Sequence, residues 1–288
     1  MTAVSPTAVI GVREAGGTWR EDARAIAMVW RRELIRFGRN RVRLITAPVQ
    51  PLLFLLVLGT GLAKLTVSTK NLDFRTFMFP GVIAMSVLFT AIFSAVSIVW
   101  DREFGFMREM LVAPVHRSAL ALGKCLGGAT VATLQGCFML ALAGLVHVPY
   151  SPSLFLVLIL EMALLSFTLT AFGTMIAGRM TQVESFQVVM QLFVLPLFFL
   201  SGAVFPLRNL PTWLMVMTKI DPLSYAVDPL RRAVFEHVGA RASAAAARLN
   251  PGMSWNGWRV PTGLELAVVA MLGLVMLGGA MYQFARAE

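Results

Sequence analysis

The sequence predicts an all-α integral membrane protein with six transmembrane helices, preceded by an amphipathic helix. Three observations lead there. Of 288 residues, 57% are hydrophobic and 14% charged, too apolar for an ordinary soluble domain. Several apolar runs reach the roughly 20 residues that cross a bilayer as a helix. The net charge of +10 comes from basic residues clustered beside those runs. That placement fits membrane orientation and contact with anionic lipid, and not a nucleic-acid surface.

Residues 1–17 contain Gly, Pro and Ser without a period and are expected to be a poorly ordered tail. About forty residues rich in Arg and Glu precede the first apolar run, and no small-residue cleavage site follows it, so a secretory signal peptide is not expected. Over 18–43, Trp19, Ala23, Ile26, Ala27, Trp30, Leu34 and Phe37 recur at helical spacing. Arg20, Arg24, Arg31 and Arg39 fall mainly on other faces, as in a helix lying in the membrane interface.

The membrane domain takes the remainder, 44–288. The first span is expected at 44–65, with Pro48 and Pro51 in its opening turns, where a missing donor costs least or produces a kink. The second is expected at 77–100 and the third at 119–148. In the third, Gly123, Gly127 and Gly128 would allow a neighbouring helix to approach closely. Cys125 and Cys137, twelve residues apart on that helix, would sit about 18 Å from each other at 1.5 Å per residue, too far for a disulfide. A turn at 149–152 leads to the fourth span, 154–177, and a polar return at 178–184 to the fifth, 186–205.

The segment 206–262 should hold two short helices. One lies over 211–219, and the other opens at Asp221-Pro222, an N-cap followed by proline at the first helical position. Residues 241–248 form an Ala-rich insert, and Tyr150, Trp255 and Trp258 fall where an aromatic belt would sit. The sixth span, 263–284, ends at Arg286.

The charged island 101–118 between the second and third spans organises the rest. Phe104, Met107, Leu111 and Val115 fall on one face of a short helix, Asp101, Arg102, Glu103, Arg108 and Glu109 take most of the remainder, and Pro114 should stop it near Val112. Such a helix suits insertion into a soluble partner, and equally suits a position on the lipid headgroups.

Glu103-Phe-Gly-Phe-Met-Arg-Glu-Met-Leu-Val-Ala-Pro-Val115, followed by Arg117 and Gly123-Lys124, resembles the cytoplasmic loop of ABC-2 type permeases, in the flavour of daunorubicin-resistance-like drug exporters. Arg31-Arg32-Glu33, Phe79-Pro80-Gly81 and Asp221-Pro-Leu-Ser-Tyr-Ala-Val-Asp-Pro-Leu-Arg231 extend the likeness over nearly the whole chain. The resemblance implies that 101–118 holds a coupling helix, comprising Arg102, Glu103, Phe104, Gly105, Met107, Arg108, Glu109 and Leu111, that docks on a separate ATPase. It also implies re-entrant helices at the external face and a dimer with a second permease copy or a sibling. Two ATPase subunits would complete the complex, with ATP and magnesium held on them and no cofactor on this chain. A hydrophobic or amphipathic cargo would be exported: a drug, an antibiotic or a lipid. A polysaccharide or glycolipid exporter is the alternative within the family.

Orientation follows from charge. With six spans both termini share a side, and that side together with the 101–124 loop holds fifteen Lys and Arg against ten on the other. Both termini are therefore expected in the cytoplasm of a bacterial cell membrane.

Chemistry on the chain itself is not expected. Gly123-Lys124 is the only near match to a phosphate-binding loop, but Ser118 stands where the motif needs Gly and Cys125 replaces the magnesium-binding Ser or Thr. His116, His147 and His237 are scattered and fall in no protease motif. An ion-coupled secondary transporter would need intramembrane acids. Glu161, two turns into the fourth span, is the one buried-charge candidate, since Glu265 lies near enough to a span end to reach the interface. Glu161, Gln135, Gln191 and Phe198 form the candidate substrate pathway, with structural hydrogen bonding and plain packing as the competing roles.

Overall fold

Breakers and apolar run length set the helices of this computed structural model, which describes residues 19–63, 74–105, 116–204, 211–238, 244, 252–255 and 257–286. Helix α1, Trp19–Arg39, has acidic residues in its first turn and Arg36 and Arg39 in its last, matching the helix dipole at both ends. Helix α2, Arg41–Thr46, is separated from α3, Val49–Ala63, at Ala47-Pro48. Helix α4, Phe74–Ser94, contains Pro80, and α5, Val96–Glu103, continues it after a break at Ala95. Helix α6 spans Arg117–Ala141, α7 Pro152–Ala177 and α8 Val183–Leu200. Helix α9 is Thr212–Ile220, α10 is Ser224–His237 and α11 is Thr262–Arg286. A two-residue antiparallel pairing, β1 at Ser254–Trp255 with β2 at Trp258–Arg259, sets Ser254 against Arg259 and Trp255 against Trp258.

Among the described residues, five stretches are long and apolar enough to cross a membrane: Leu44–Gly61, Phe74–Glu103, Pro152–Ala177, Val183–Leu200 and Thr262–Ala285. Where the third span was expected, α6 ends at Ala141 and a 3-10 turn, Ala143–Val146, follows. Lys124, Gln135 and its glycines make α6 less apolar than those five. Tyr150 closes this helix end. Its hydroxyl donates to Ala141 O at 2.9 Å and accepts from Gly144 N at 3.0 Å.

Helix α4 is the axis of the bundle. It packs against α3, α6, α7, α8 and α10, and nearly every residue from Phe74 to Ile92 is buried. Helix α11 lies along α7 and α6, and α1 lies along α6. The α1 contact depends on small residues. A Cβ at Gly123 would stand 2.9 Å from Val29 Cβ, and one at Gly127 would stand 2.7 Å from Glu33 Cβ. The face that α1 turns to the bundle therefore runs through Val29 and Glu33, while Trp19 stays mostly exposed. Trp30 donates its indole N–H to Thr130 Oγ1 at 3.0 Å.

In the segment after α8 the helix starts at Ser224 with Leu223 as its N-cap, three residues later than the Asp221-Pro222 start expected, and Asp221 instead closes the preceding turn by accepting from Leu223 N at 2.9 Å. Burial pushes the Asp221 carboxyl up to about 7, against the lowering effect of that hydrogen bond. Trp255 donates to Tyr225 Oη at 3.1 Å and packs edge-on against that ring. The expected tail, 1–17, and the Ala-rich insert, apart from Ala244, lie outside the described residues.

Candidate functional site

No helix breaker lies between Val96 and Gly105, so α5 runs on through the first three residues of the charged island. The boundary expected at Trp100 lies instead at Phe104, the C-cap of α5, and Gly105 leaves with φ +82°, a left-handed turn that favours glycine. Asp101, Arg102 and Glu103 thus form the last turn of a buried helix, and each holds a different neighbour.

Asp101 is buried and accepts from Lys124 Nζ at 2.6 Å and from Arg32 Nη2 at 3.3 Å, tying α5 to α6 and α1. Arg102 donates to the carbonyls of Gly178 at 2.8 Å and Met180 at 3.0 Å, just beyond the C-terminus of α7. Glu103 accepts from Val183 N at 2.9 Å, the first residue of α8. A cation thus meets the negative end of one helix dipole and an anion the positive end of the next. The far end of the loop is fixed as well. His116 donates its backbone N–H to Asp22 Oδ1 at 3.0 Å, and its ring Nδ1 lies 2.7 Å from Asp22 Oδ2. Chiefly through the backbone hydrogen bond, His116 holds the Asp22 carboxyl below its ordinary range. Both ends of the segment 106–115 are therefore anchored, one to α1, α6, α7 and α8, the other to α1.

Of the expected coupling residues, Met107, Arg108, Glu109 and Leu111 lie outside the described residues. Arg102 and Glu103 hold the bundle together. Phe104 projects 69% exposed at the mouth of the loop, beside the turn at Gly105.

Lys124 is the residue that sequence reasoning missed. It is buried, and its ammonium donates to Glu33 Oε1 at 2.8 Å, Asp101 Oδ2 at 2.6 Å and Ser97 Oγ at 3.2 Å. A signal existed, because a lysine eight positions into an apolar helix demands a counter-charge. The residue lists of Arg31-Arg32-Glu33 and of the charged island contained both acids.

Glu161 is consequently not the one buried charge. A second ionic group lies near α10, where Arg232 bonds Asp228 and donates to Glu265 Oε1 at 3.1 Å, Val260 O at 3.0 Å and Thr262 Oγ1 at 3.3 Å. Glu265, in the first turn of α11, is fully buried in this group. Arg231 is buried too, with its guanidinium over the Phe77 ring at 4.6 Å and Nη2 donating to Gly202 O at 2.7 Å.

The four candidate pathway residues fall into different environments. Glu161 and Gln135 are buried in α7 and α6, and among the described residues Glu161 Oε2 and Gln135 Nε2 have no hydrogen-bond partner. Gln191 is exposed on α8. Phe198 is packed edge-on against Phe54 at 6.0 Å and Phe199 at 5.3 Å, as a bundle residue. An unpartnered carboxylate oxygen gives the fold nothing to lose, so Glu161→Gln should leave the melting temperature within about 2 °C of wild type or raise it. A fall of more than 5 °C in a thermal melt of the detergent-purified chain would show that the carboxylate has a structural partner. Among the described residues no group of three or more His, Cys, Asp or Glu is placed to hold a metal ion.

A family model described as ABC-2 type transporter matches residues 24–235. A putative transport permease, ycf38, of Cyanophora paradoxa is 30% identical over 207 residues, covering 70% of this chain and 71% of that protein. The probable multidrug ABC transporter permease YbhR of Escherichia coli K12 is 30% identical over 160 residues, which covers 55% of this chain and 43% of YbhR. Nodulation protein J of Rhizobium leguminosarum bv. trifolii is 27% identical over 215 residues, or 73% of this chain and 80% of that protein.

Proposed function

This chain belongs to the ABC-2 type transporter family, and on that premise we propose that it is the membrane permease subunit of an ATP-binding-cassette exporter. It moves a hydrophobic or amphipathic compound out of the cytoplasm or the inner leaflet, driven by two copies of a separate ATPase that bind the ATP and magnesium. The name of the multidrug permease YbhR supports that cargo class. Six spans, with α6 as the third, put both termini and the loop 101–118 on the cytoplasmic side, α1 at the interface, and the segment 206–262, with α9 and α10 re-entrant, outside. A second permease copy pairs along α3 and α8. Phe54 and Phe198 bring those two helices together, and both leave apolar side chains such as Leu53, Val57, Val188 and Leu192 exposed.

The observation that carries this reading is the anchoring of both loop ends. A push on 106–115 meets no slack at Asp101, Arg102, Glu103 or His116 and moves α1 and α6–α8 with it. Small displacements at a packed interface are passed on because packed elements shift as units.

The anchoring also separates docking from folding as roles. Phe104 is exposed, so Phe104→Asp should lower co-purification of the ATPase at least about tenfold, equivalent to 1.4 kcal/mol of docking, with the membrane level of the permease unchanged. Glu103→Arg would additionally reverse the charge at the start of α8 and is the less clean probe. Affinity purification in mild detergent reads both. A chain that purifies alone, repeatedly and stably, would overturn the ATPase partnership.

A further inference from the structure

Next to the Lys124 group lies a cavity of about 190 Å³ between the second half of α1, the α4–α5 break and α6. Arg36, Asn40 and Trp100 form its polar end, Phe37, Val96 and Val131 an apolar wall, and Glu33, Ser94 and Ser97 also line it. The Arg36 guanidinium lies 5.2 Å over the Trp100 ring. Outward the cavity meets grooves lined by Arg32, Arg39, Arg41, Val42 and Phe104. From Val42 an exposed apolar line continues through Ile45, Val49 and Leu53.

Charge decides what fits. The two nearby carboxylates, Glu33 and Asp101, are matched by Lys124 and Arg32. Arg36, Arg39 and Arg41 therefore set the sign of the groove, and it is positive. Arginine presents forked donors that match phosphate oxygens, and an arginine already stacked on an indole keeps its edge available for them. A soluble phosphate compound would use the basic end but not the apolar wall or the line down α2 and α3. A membrane phospholipid uses both.

We propose that this groove is a binding site for an anionic phospholipid of the inner leaflet, with its phosphate at Arg36, Arg39 and Asn40 and its acyl chains along Val42, Ile45 and Val49. A lipid seated there bridges α1 to the α4–α5 break, beside Asp101.

The test uses the full chain in detergent without any ATPase, so its outcome is independent of the exporter reading. Dioleoyl phosphatidylglycerol or dioleoyl phosphatidylcholine is titrated in, and bound lipid is read by native mass spectrometry together with the thermal melt. Phosphatidylglycerol should bind and raise the melting temperature, and phosphatidylcholine should do neither. Arg36→Gln and Arg39→Gln should each weaken phosphatidylglycerol binding about fivefold, the effect of one basic residue near an anionic surface. Arg24→Gln, on α1 but outside the groove, should leave binding unchanged. Arg39→Gln keeps the test valid should loss of the Arg36–Trp100 stack disturb folding. Equal binding of the two lipids, or unchanged affinity in Arg39→Gln, or an equal loss in Arg24→Gln, would overturn the site. Equal stabilisation by inorganic phosphate alone would overturn the lipid as occupant.

Discussion

Lys124→Met should be the most damaging single substitution inside the bundle, costing about 3–5 kcal/mol of stability, the usual penalty for removing one partner of a buried ion pair. The methionine fits the volume and is at home in an apolar helix, so packing is not what is lost. Glu33 Oε1 and Asp101 Oδ2 would lose a cation at 2.8 and 2.6 Å while both stay buried, with Arg32 at 3.3 Å from Asp101 Oδ1. The cost comes from carboxylates left without compensation, so neutralising them should restore stability. Lys124→Met combined with Glu33→Gln and Asp101→Asn should regain at least half of the loss, a coupling that independent sites would not show. Thermal melts of the purified single and triple variants, with the fraction that elutes as a monodisperse peak, check this. A single variant as stable as wild type would remove the charge group from the account of how α1, α5 and α6 are held.

Gly81→Ala should be nearly as costly, at about 3 kcal/mol, the upper end of what overpacking a filled core costs. Gly81 follows Pro80 on the central helix, where α4 passes the turn after α8. A Cβ there would stand 2.2 Å from the Ala203 carbonyl oxygen and 2.7 Å from its Cα. Those are backbone atoms and cannot rotate aside. The turn itself is fixed: Gly202 has φ +70°, its carbonyl accepts from Arg231, and Ser201 Oγ accepts from Ala203 N at 3.2 Å. Gly61→Ala is the control, because among the described residues nothing lies within 4 Å of a Cβ at that position. The expected result is a lowered melting temperature and reduced recovery of folded Gly81→Ala, with Gly61→Ala indistinguishable from wild type in that assay.

These two sites show where local sequence is informative and where it stops. Phe79-Pro80-Gly81 stands out as a motif, yet nothing in it tells that Ala203 is what the glycine makes room for. The small-residue pattern at Gly123 and Gly127 is common in membrane helices, and only Val29 and Glu33 opposite give it meaning. Phe198 and Gln191 sit on one helix and were grouped as pathway residues by chemistry, whereas one is packed inside the bundle and the other faces outward. Family resemblance gives Arg102 and Glu103 as docking residues, and the local pattern does not tell that both also hold the bundle. Their partners, at 178–183, are some eighty residues away along the chain.

By itself the sequence determined the class of protein, the positions of most helices and the interruption at Pro48 in the opening turns of the first span, whereas the break at Gly105 falls inside what the pattern reads as one helix. Run length and proline act over a few neighbouring residues, so their effects can be read locally. Only the tertiary structure decided how the buried charges are matched. Lys124 meets Glu33 at a separation of 91 residues, Arg32 meets Asp101 at 69, and Arg232 meets Glu265 at 33. A charge in a low-dielectric bundle must find a counter-charge, but composition and spacing leave open which one, and distance in three dimensions makes the choice.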